Sequence, residues 1–134
     1  MAYKGQPVPT TVHSVARAKI SDGKSVRVTV PENTKIEAQK FYLLDGFFGL
    51  AMESVETGPG ETAEVTLNIE QAEYETDQIT VSQEFKVGTP VYFNETTGKL
   101  TETAGTDPGN RLVGRVTAPK DENNVIWFLL GPQV

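Results

Sequence analysis

The sequence predicts an all-β protein: a small single-domain β-barrel or β-sandwich that follows an extended N-terminal arm. Short stretches of alternating apolar and polar residues recur along the chain, and turn-forming dipeptides separate them. No segment has the sustained periodicity of an amphipathic helix. The chain has 134 residues, the length of one domain. We therefore assign residues 1–15 to the arm and residues 16–134 to the body.

The arm is predicted from the composition of the first fifteen residues. Pro7 and Pro9 have a fixed backbone dihedral and no amide donor, which favours extended conformations. A frayed terminus without a function explains the same composition. If the arm binds a partner, the following side chains are the candidate contacts: Tyr3, Pro7, Val8, Pro9, Val12 and His13.

Two β-hairpins are predicted in the first half of the body, each around an Asp-Gly dipeptide, which is a strong hairpin signal. The first joins residues 16–20 to residues 26–30, and the second joins residues 41–44 to residues 47–52. Both strands of the second hairpin are apolar at consecutive positions, so they belong to the core alone or to the core and an interface. Phe47 and Phe48 are therefore candidate subunit contacts, with simple core packing as the alternative.

The second half of the body is predicted to contain one very regular strand and two further strand pairs. The predicted strands are residues 63–70, 91–93, 99–101, 112–117 and 125–130. The last of these is apolar at every position, so it is a candidate for either core or subunit contact. Trp127 lies within it, and we expect its side chain to be in the core.

Charge is distributed unevenly along the chain. Residues 1–40 contain seven basic and three acidic residues, a net charge of +4, whereas residues 41–134 contain five basic and fifteen acidic residues, a net charge of −10. An acidic body opposes binding to nucleic acid phosphates, so no nucleic-acid partner is expected. The acidic surface can serve solubility alone; the alternative is that the basic N-terminal region binds an acidic partner. No apolar stretch is long enough to span a membrane, so no membrane partner is expected.

No catalytic, metal or cofactor site is predicted. His13 is the single histidine and the chain has no cysteine, so the residues for a preorganised nucleophilic triad or a Cys/His metal cluster are lacking. Gly23-Lys24-Ser25 matches the end of a phosphate-binding P-loop, but a predicted strand follows where that motif needs a helix. Glu73, Glu75 and Asp77 would share one face of a strand and could attract a hard cation, although such carboxylates more often face water. We therefore predict that the protein is not an enzyme.

One long segment resembles a known family. Residues 85–101 are FKVGTPVYFNETTGKLT, and Leu112–Val116 follow them. They resemble the capsid decoration (cement) proteins of tailed phages and prophages, a former domain of unknown function whose members are sometimes labelled RecA/RadA-like recombinases. The family run G-x-x-V-Y-[WF]-[ND]-x-x-T-G-K-[LIV]-T is matched from Gly88 to Thr101, and residues 45–51, DGFFGLA, are similar to a second family segment. Gln39 and Gln71 stand where members often have glycine, and the arm is longer than usual.

The resemblance implies a β-tulip-like body and a structural role on the phage particle. Such a protein would be made in the host cytoplasm and would bind the outer surface of the expanded capsid as a homotrimer. There it would bridge subunits of the major capsid protein against the pressure of packaged DNA, with its arm added to a capsid sheet. The alternative is a virion accessory module that binds a host receptor or a carbohydrate, which would present exposed aromatic residues on loops.

Overall fold

The computed structural model describes residues 18–106 and 109–133. These residues form an all-β fold without a helix, which confirms the predicted fold class. The arm predicted for residues 1–15 lies outside the described residues. The strands are β1 (Ser25–Val30), β2 (Lys35–Ile36), β3 (Phe41–Leu44), β4 (Phe47–Ala51), β5 (Val55–Glu56), β6 (Ala63–Asn68), β7 (Glu73–Thr76), β8 (Pro90–Asn94), β9 (Lys99–Thr101), β10 (Arg111–Ala118) and β11 (Ile126–Leu130).

The strands form three sheets in a curled, half-barrel arrangement. A four-stranded sheet has the order β1-β6-β4-β3, a five-stranded sheet has the order β7-β11-β10-β8-β9, and β2 and β5 form a small third sheet. Neighbouring strands are antiparallel, and β10 contains two bulges that shift its register against β8 and β11. Because bulges bend a strand, β10 can curve with the sheet around the core.

The main core lies where the two larger sheets meet. Phe41 and Phe48 of the four-stranded sheet stack with their ring centroids 5.4 Å apart. Phe128 of β11 lies 5.3 Å from Phe41, and Phe93 of β8 lies 5.0 Å from Phe48. All four side chains are buried. Since burial of one such side chain contributes about 1.5–3 kcal/mol, this aromatic cluster is a principal source of stability.

A second, aliphatic cluster lies inside the four-stranded sheet. Val28 and Val30 of β1 pack against Val65 and Leu67 of β6, and Ile36 of β2 packs with them. The strict alternation of β1 and β6 places all of their buried residues on one face. The two-stranded sheet therefore helps to enclose this cluster.

Two glutamine side chains bond to backbone groups of the four-stranded sheet. The amide of Gln78 accepts a hydrogen bond from the Phe41 N–H at 2.9 Å and donates one to the Phe41 carbonyl at 2.7 Å. The amide of Gln133 makes the same pair of bonds with Phe48, at 3.0 and 2.9 Å. Each amide thus substitutes for a paired strand residue and satisfies backbone groups beside the aromatic cluster.

The second predicted hairpin is confirmed. Strands β3 and β4 pair directly across Asp45-Gly46. Both turn residues have positive φ angles, 51° and 84°, as a type I′ hairpin turn requires. The strands predicted at residues 63–70, 91–93, 99–101, 112–117 and 125–130 are also observed, with small differences at their ends.

The first predicted hairpin is wrong. Gly23 has the positive φ of a turn, 68°, but residues 18–20 form no strand. Instead β1 pairs with β6, from Ser25 opposite Asn68 to Val30 opposite Ala63. This distant partner offers six paired positions and an apolar inner face, so the pairing buries Val28 and Val30. A hairpin with residues 16–20 would have supplied two alanines and Ile20 as its apolar side chains, whereas β6 supplies one alanine, one valine and one leucine.

Candidate interaction surface

The outward side of the five-stranded sheet carries large apolar side chains. On β11, Ile126, Phe128 and Leu130 point into the core, whereas Trp127 and Leu129 are 48% and 49% exposed. The expectation that Trp127 lies in the core is therefore wrong. Its two neighbours occupy the inner face, and the two-residue period of a strand turns Trp127 outward.

We call this surface the Trp127 face. It consists of the outward residues of the five strands, in sheet order: Glu73 and Glu75 of β7, Trp127 and Leu129 of β11, Leu112 and Arg115 of β10, Tyr92 of β8 and Lys99 of β9. Strand pairing places Glu73 opposite Leu129, Leu129 opposite Arg115, and Arg115 opposite Pro90. One row across the sheet therefore runs from an acidic side chain through an apolar one to a basic one.

Two of the four charged residues of the Trp127 face bond to neutral groups. The carboxylate of Glu73 accepts a hydrogen bond from the Thr117 hydroxyl at 2.6 Å, and the guanidinium of Arg115 donates one to the Gly88 carbonyl at 2.8 Å. Among the residues that the structure describes, none of the four charged side chains on this face lies within 4.0 Å of an opposite charge.

An open groove of about 680 Å³ crosses one end of this face. Pro90, Tyr92, Leu112, Leu129 and Pro132 are among the residues that line it. Leu112 is 56% exposed although it is apolar. Contiguous exposed apolar surface on a soluble protein commonly marks a contact site, so this groove and the adjoining Trp127 are the strongest candidates for binding a partner.

The outward side of the four-stranded sheet has a different character. Arg27 of β1 forms ion pairs with Glu53 at 2.9 Å and Glu64 at 3.3 Å, and it also bonds the Thr66 hydroxyl at 2.9 Å. The Thr66 N–H donates to Glu53, and this bond, followed by the charge of Arg27, lowers the pKa of Glu53 below its ordinary value of 4.5. We call this network the Arg27 face. Its polar groups are suited to contact with water.

The basic residues before position 41 are paired with acidic residues wherever the structure describes them. The pairs are Lys19–Asp22, Lys24–Glu70, Arg27–Glu53, Arg27–Glu64, Lys35–Glu37 and Lys40–Asp77. The positive segment seen in the sequence is thus largely neutralised by folding. Lys4 and Arg17 lie outside the described residues, so the alternative in which the basic N-terminal region binds an acidic partner stays a prediction.

The predicted subunit contacts separate into two cases. Phe48 is 1% exposed in the aromatic cluster, so the alternative of core packing applies to it and its ring presents no surface to another subunit. Phe47 is half-buried and packs against the aliphatic cluster. Its role as a contact stays a prediction. The predicted arm contacts Tyr3, Pro7, Val8, Pro9, Val12 and His13 lie outside the described residues.

The features that imitate enzyme motifs have structural explanations. Ser25 begins strand β1, so no helix follows Gly23-Lys24-Ser25 as a P-loop requires. Asp77 pairs with Lys40, and no group of three His, Cys, Asp or Glu residues in the described ranges is placed to hold a metal ion.

Tyr74 has a shifted pKa for structural reasons. Burial and the nearby Glu70 carboxylate raise the pKa of Tyr74, whose hydroxyl donates to the Glu70 carbonyl at 2.8 Å.

The motif that carries the family resemblance forms a rigid turn. The Asn94 side chain accepts hydrogen bonds from the Thr96 and Thr97 N–H groups, and the Gly98 N–H donates to the Asn94 carbonyl. Gly98 has a φ of 68°, which glycine adopts without strain. Asn94, Thr97 and Gly98 therefore fix the β8–β9 hairpin at the edge of the five-stranded sheet.

Comparison with known families agrees with the resemblance. The model of the phage cement protein family matches residues 20–130, which include every strand of the body. The chain belongs to this family of structural proteins, whose members stabilise phage capsids. No match was found among curated proteins or among solved structures. The described residues contain no helix that is long and apolar enough to cross a membrane.

Proposed function

We propose that this protein is a head decoration protein that binds the outer surface of the expanded capsid and bridges subunits of the major capsid protein. It acts as a homotrimer, is made in the host cytoplasm and joins the particle after the shell has expanded. The observation that carries the proposal is the family match over residues 20–130. The exposed apolar surface of the Trp127 face supports it, because a protein that works by contact needs such a surface.

Binding to the shell is shared between the body and the arm. The arm adds as a strand to a capsid sheet, and Tyr3, Pro7, Val8, Pro9, Val12 and His13 supply its contacts. Ordering an extended segment costs about 1–2 kcal/mol per residue in backbone entropy, which the few apolar side chains of this arm offset only in part. Three arms on one trimer supply the remainder through avidity, so a monomer binds the shell poorly.

A co-sedimentation experiment with expanded heads that lack their decoration protein tests the proposal. We expect the full-length chain to sediment with the heads to saturation and to raise the temperature at which they release DNA. A shortened chain that begins at Arg17 should bind at least about tenfold more weakly, since it keeps the body and loses the arm. Equal binding of both chains would contradict the arm's role, and no binding of either would contradict the decoration function.

A second candidate is a virion accessory module that binds a host carbohydrate. Exposure of Trp127 favours it, because sugars stack on exposed aromatic rings and bond to neighbouring carboxylates. Glu73, Tyr74, Glu75 and Trp127 line a small open cavity of about 200 Å³. However, Trp127 lies on a strand, whereas an exposed cluster on loops was expected. Binding to a glycan array that is lost in Trp127→Ala, together with unchanged binding to heads, would favour this function.

A further inference from the structure

The Trp127 face is self-complementary in charge, because one side of it is acidic and the other side is basic. The acidic half contains Glu73 and Glu75 of β7 beside Leu129 and Trp127 of β11. The basic half contains Arg115 of β10 and Lys99 of β9, at the other side of the same sheet. An acidic half repels another acidic half but attracts a basic one, so each half of the face fits the opposite half of a second copy.

We propose that the Trp127 face is the self-association surface of this protein, with the acidic half of one copy docked against the basic half of the next. The inference rests on the homotrimer in the proposed function and specifies which surface builds it. Trp127, Leu129 and Leu112 form the apolar centre of the contact, and the charged side chains set its orientation. Large aromatic side chains at the centre of an interface typically contribute most of its affinity.

The bonding of the face is consistent with a contact that forms between copies. Arg115 and Glu73 are anchored by neutral groups at 2.8 and 2.6 Å, which hold their side chains over the face without neutralising their charge. In the Arg27 face, by contrast, the charges are already paired within the chain. Of these two faces, only the Trp127 face therefore offers both exposed apolar area and opposite charges that lack an ionic partner among the described residues.

Because the proposed contact joins the acidic half of one copy to the basic half of another, it also constrains the symmetry of the oligomer. A two-fold dimer would use both halves of each face in a single contact, whereas heterologous contacts use one half toward each neighbour and close into a ring when the rotation between copies permits it. The trimer of the proposed function requires the heterologous arrangement. Three copies arranged around an axis would each use the acidic half toward one neighbour and the basic half toward the other. All three Trp127 faces would then surround the axis, and the Arg27 faces would remain in water.

Charge reversal and its rescue test the surface in solution, without capsids. We expect the native chain to have the mass of a trimer in light scattering after gel filtration. Arg115→Glu/Lys99→Glu and Glu73→Lys/Glu75→Lys should each raise the dissociation constant by at least about tenfold, because each variant places like charges in contact. The chain with all four reversals should associate again, since the acidic and basic halves have only exchanged places. Lys24→Glu/Lys35→Glu is the matched control for the change in net charge and should remain trimeric.

The outcomes distinguish this inference from the proposed function. A native monomer or dimer, or reversal variants that associate like the native chain, would overturn the inference whether or not the protein binds heads. The inference would also be overturned if the variant with all four reversals failed to form the trimer again while its circular dichroism spectrum and melting temperature were native. Recovery of the trimer by the variant with all four reversals, together with a native chain that does not bind expanded heads, would instead support the self-contact and contradict the decoration function.

Discussion

The two larger sheets of this protein are alike on the inside and opposite on the outside. Each contributes to a well-packed apolar core, and both contribute phenylalanines to the aromatic cluster. On the outside, the four-stranded sheet presents Arg27 bound to Glu53 and Glu64, whereas the five-stranded sheet presents Trp127, Leu129 and Leu112. This difference supports the proposal that the outer side of the four-stranded sheet faces water and that the outer side of the five-stranded sheet contacts another protein.

The largest expected effect is on stability, and it distinguishes two adjacent residues of β11. Phe128→Ala removes a buried ring that contacts Phe41 and Tyr74, and it should lower the free energy of unfolding by about 3–5 kcal/mol. Trp127→Ala, its control on the opposite side of the strand, should lower the free energy of unfolding of the dilute, monomeric chain by less, about 1–2 kcal/mol, because 48% of Trp127 is already exposed. Urea denaturation measures both. Similar losses for the two variants would contradict the assignment of Trp127 to a contact surface.

The next effect concerns the close packing of β10 against β11. A Cβ added to Gly114 would lie 1.9 Å from the Leu129 carbonyl oxygen, so Gly114→Ala forces backbone to move and should cost about 3 kcal/mol. Gly98→Ala meets nothing within 4 Å and strains only a turn with positive φ, so its cost should be about 1 kcal/mol. Thermal unfolding of both variants gives the comparison. A smaller loss of stability in Gly114→Ala than in Gly98→Ala would show that β10 and β11 can move apart to admit the added methyl group.

A smaller effect tests the Arg27 face. Arg27→Met removes surface ion pairs, which contribute about 0–1 kcal/mol because water and salt screen them. We expect a slight destabilisation that shrinks further in 1 M salt, and no change in the mass of the oligomer. A variant that dissociates the oligomer would show that this face also contacts another copy and would remove the contrast between the two sheets.

The smallest effect is a pH dependence in the same network. The Thr66 N–H and Arg27 lower the pKa of Glu53 in the folded state, so the folded protein favours the ionised carboxylate. The stability that this carboxylate contributes is present above its ordinary pKa of 4.5 and is lost as the pH falls through the lower folded value. Glu53→Gln should therefore flatten the loss of stability below pH 4.5, measured by denaturation across acidic pH. An unchanged pH profile would exclude this contribution.

The parts of the fold that the sequence predicts are those set by local chemistry. The Asp45-Gly46 turn, the alternation of β6 and the Asn94–Gly98 loop each carry their own signal, and all three are observed. Pairing between distant segments carries no such signal. The Asp22-Gly23 turn therefore suggested a hairpin, although β6 offers β1 a longer apolar partner. The two-residue strands β2 and β5 are too short to show a periodicity at all.

The candidate surface was only partly predictable for a similar reason. Residues 125–130 are apolar at every position, so alternation cannot say which side chains face outward. The register with β7 and β10 decides this, and it places Trp127 outside and Phe128 inside. Likewise, the ion pairs of Arg27 and Lys40 join residues that are 26 to 37 positions apart, so the linear charge count overstated the basic region. The sequence did mark this last strand as a possible contact.

A cryo-EM reconstruction of expanded heads saturated with the protein tests the central claim most directly. We expect density on the outer surface of the shell in which neighbouring copies meet through Trp127, Leu129 and Arg115, while the Arg27 face lies in solvent. A map in which the protein binds the shell but the Trp127 face points into solvent would contradict the contrast between the two sheets. Heads without added density would contradict the decoration function itself.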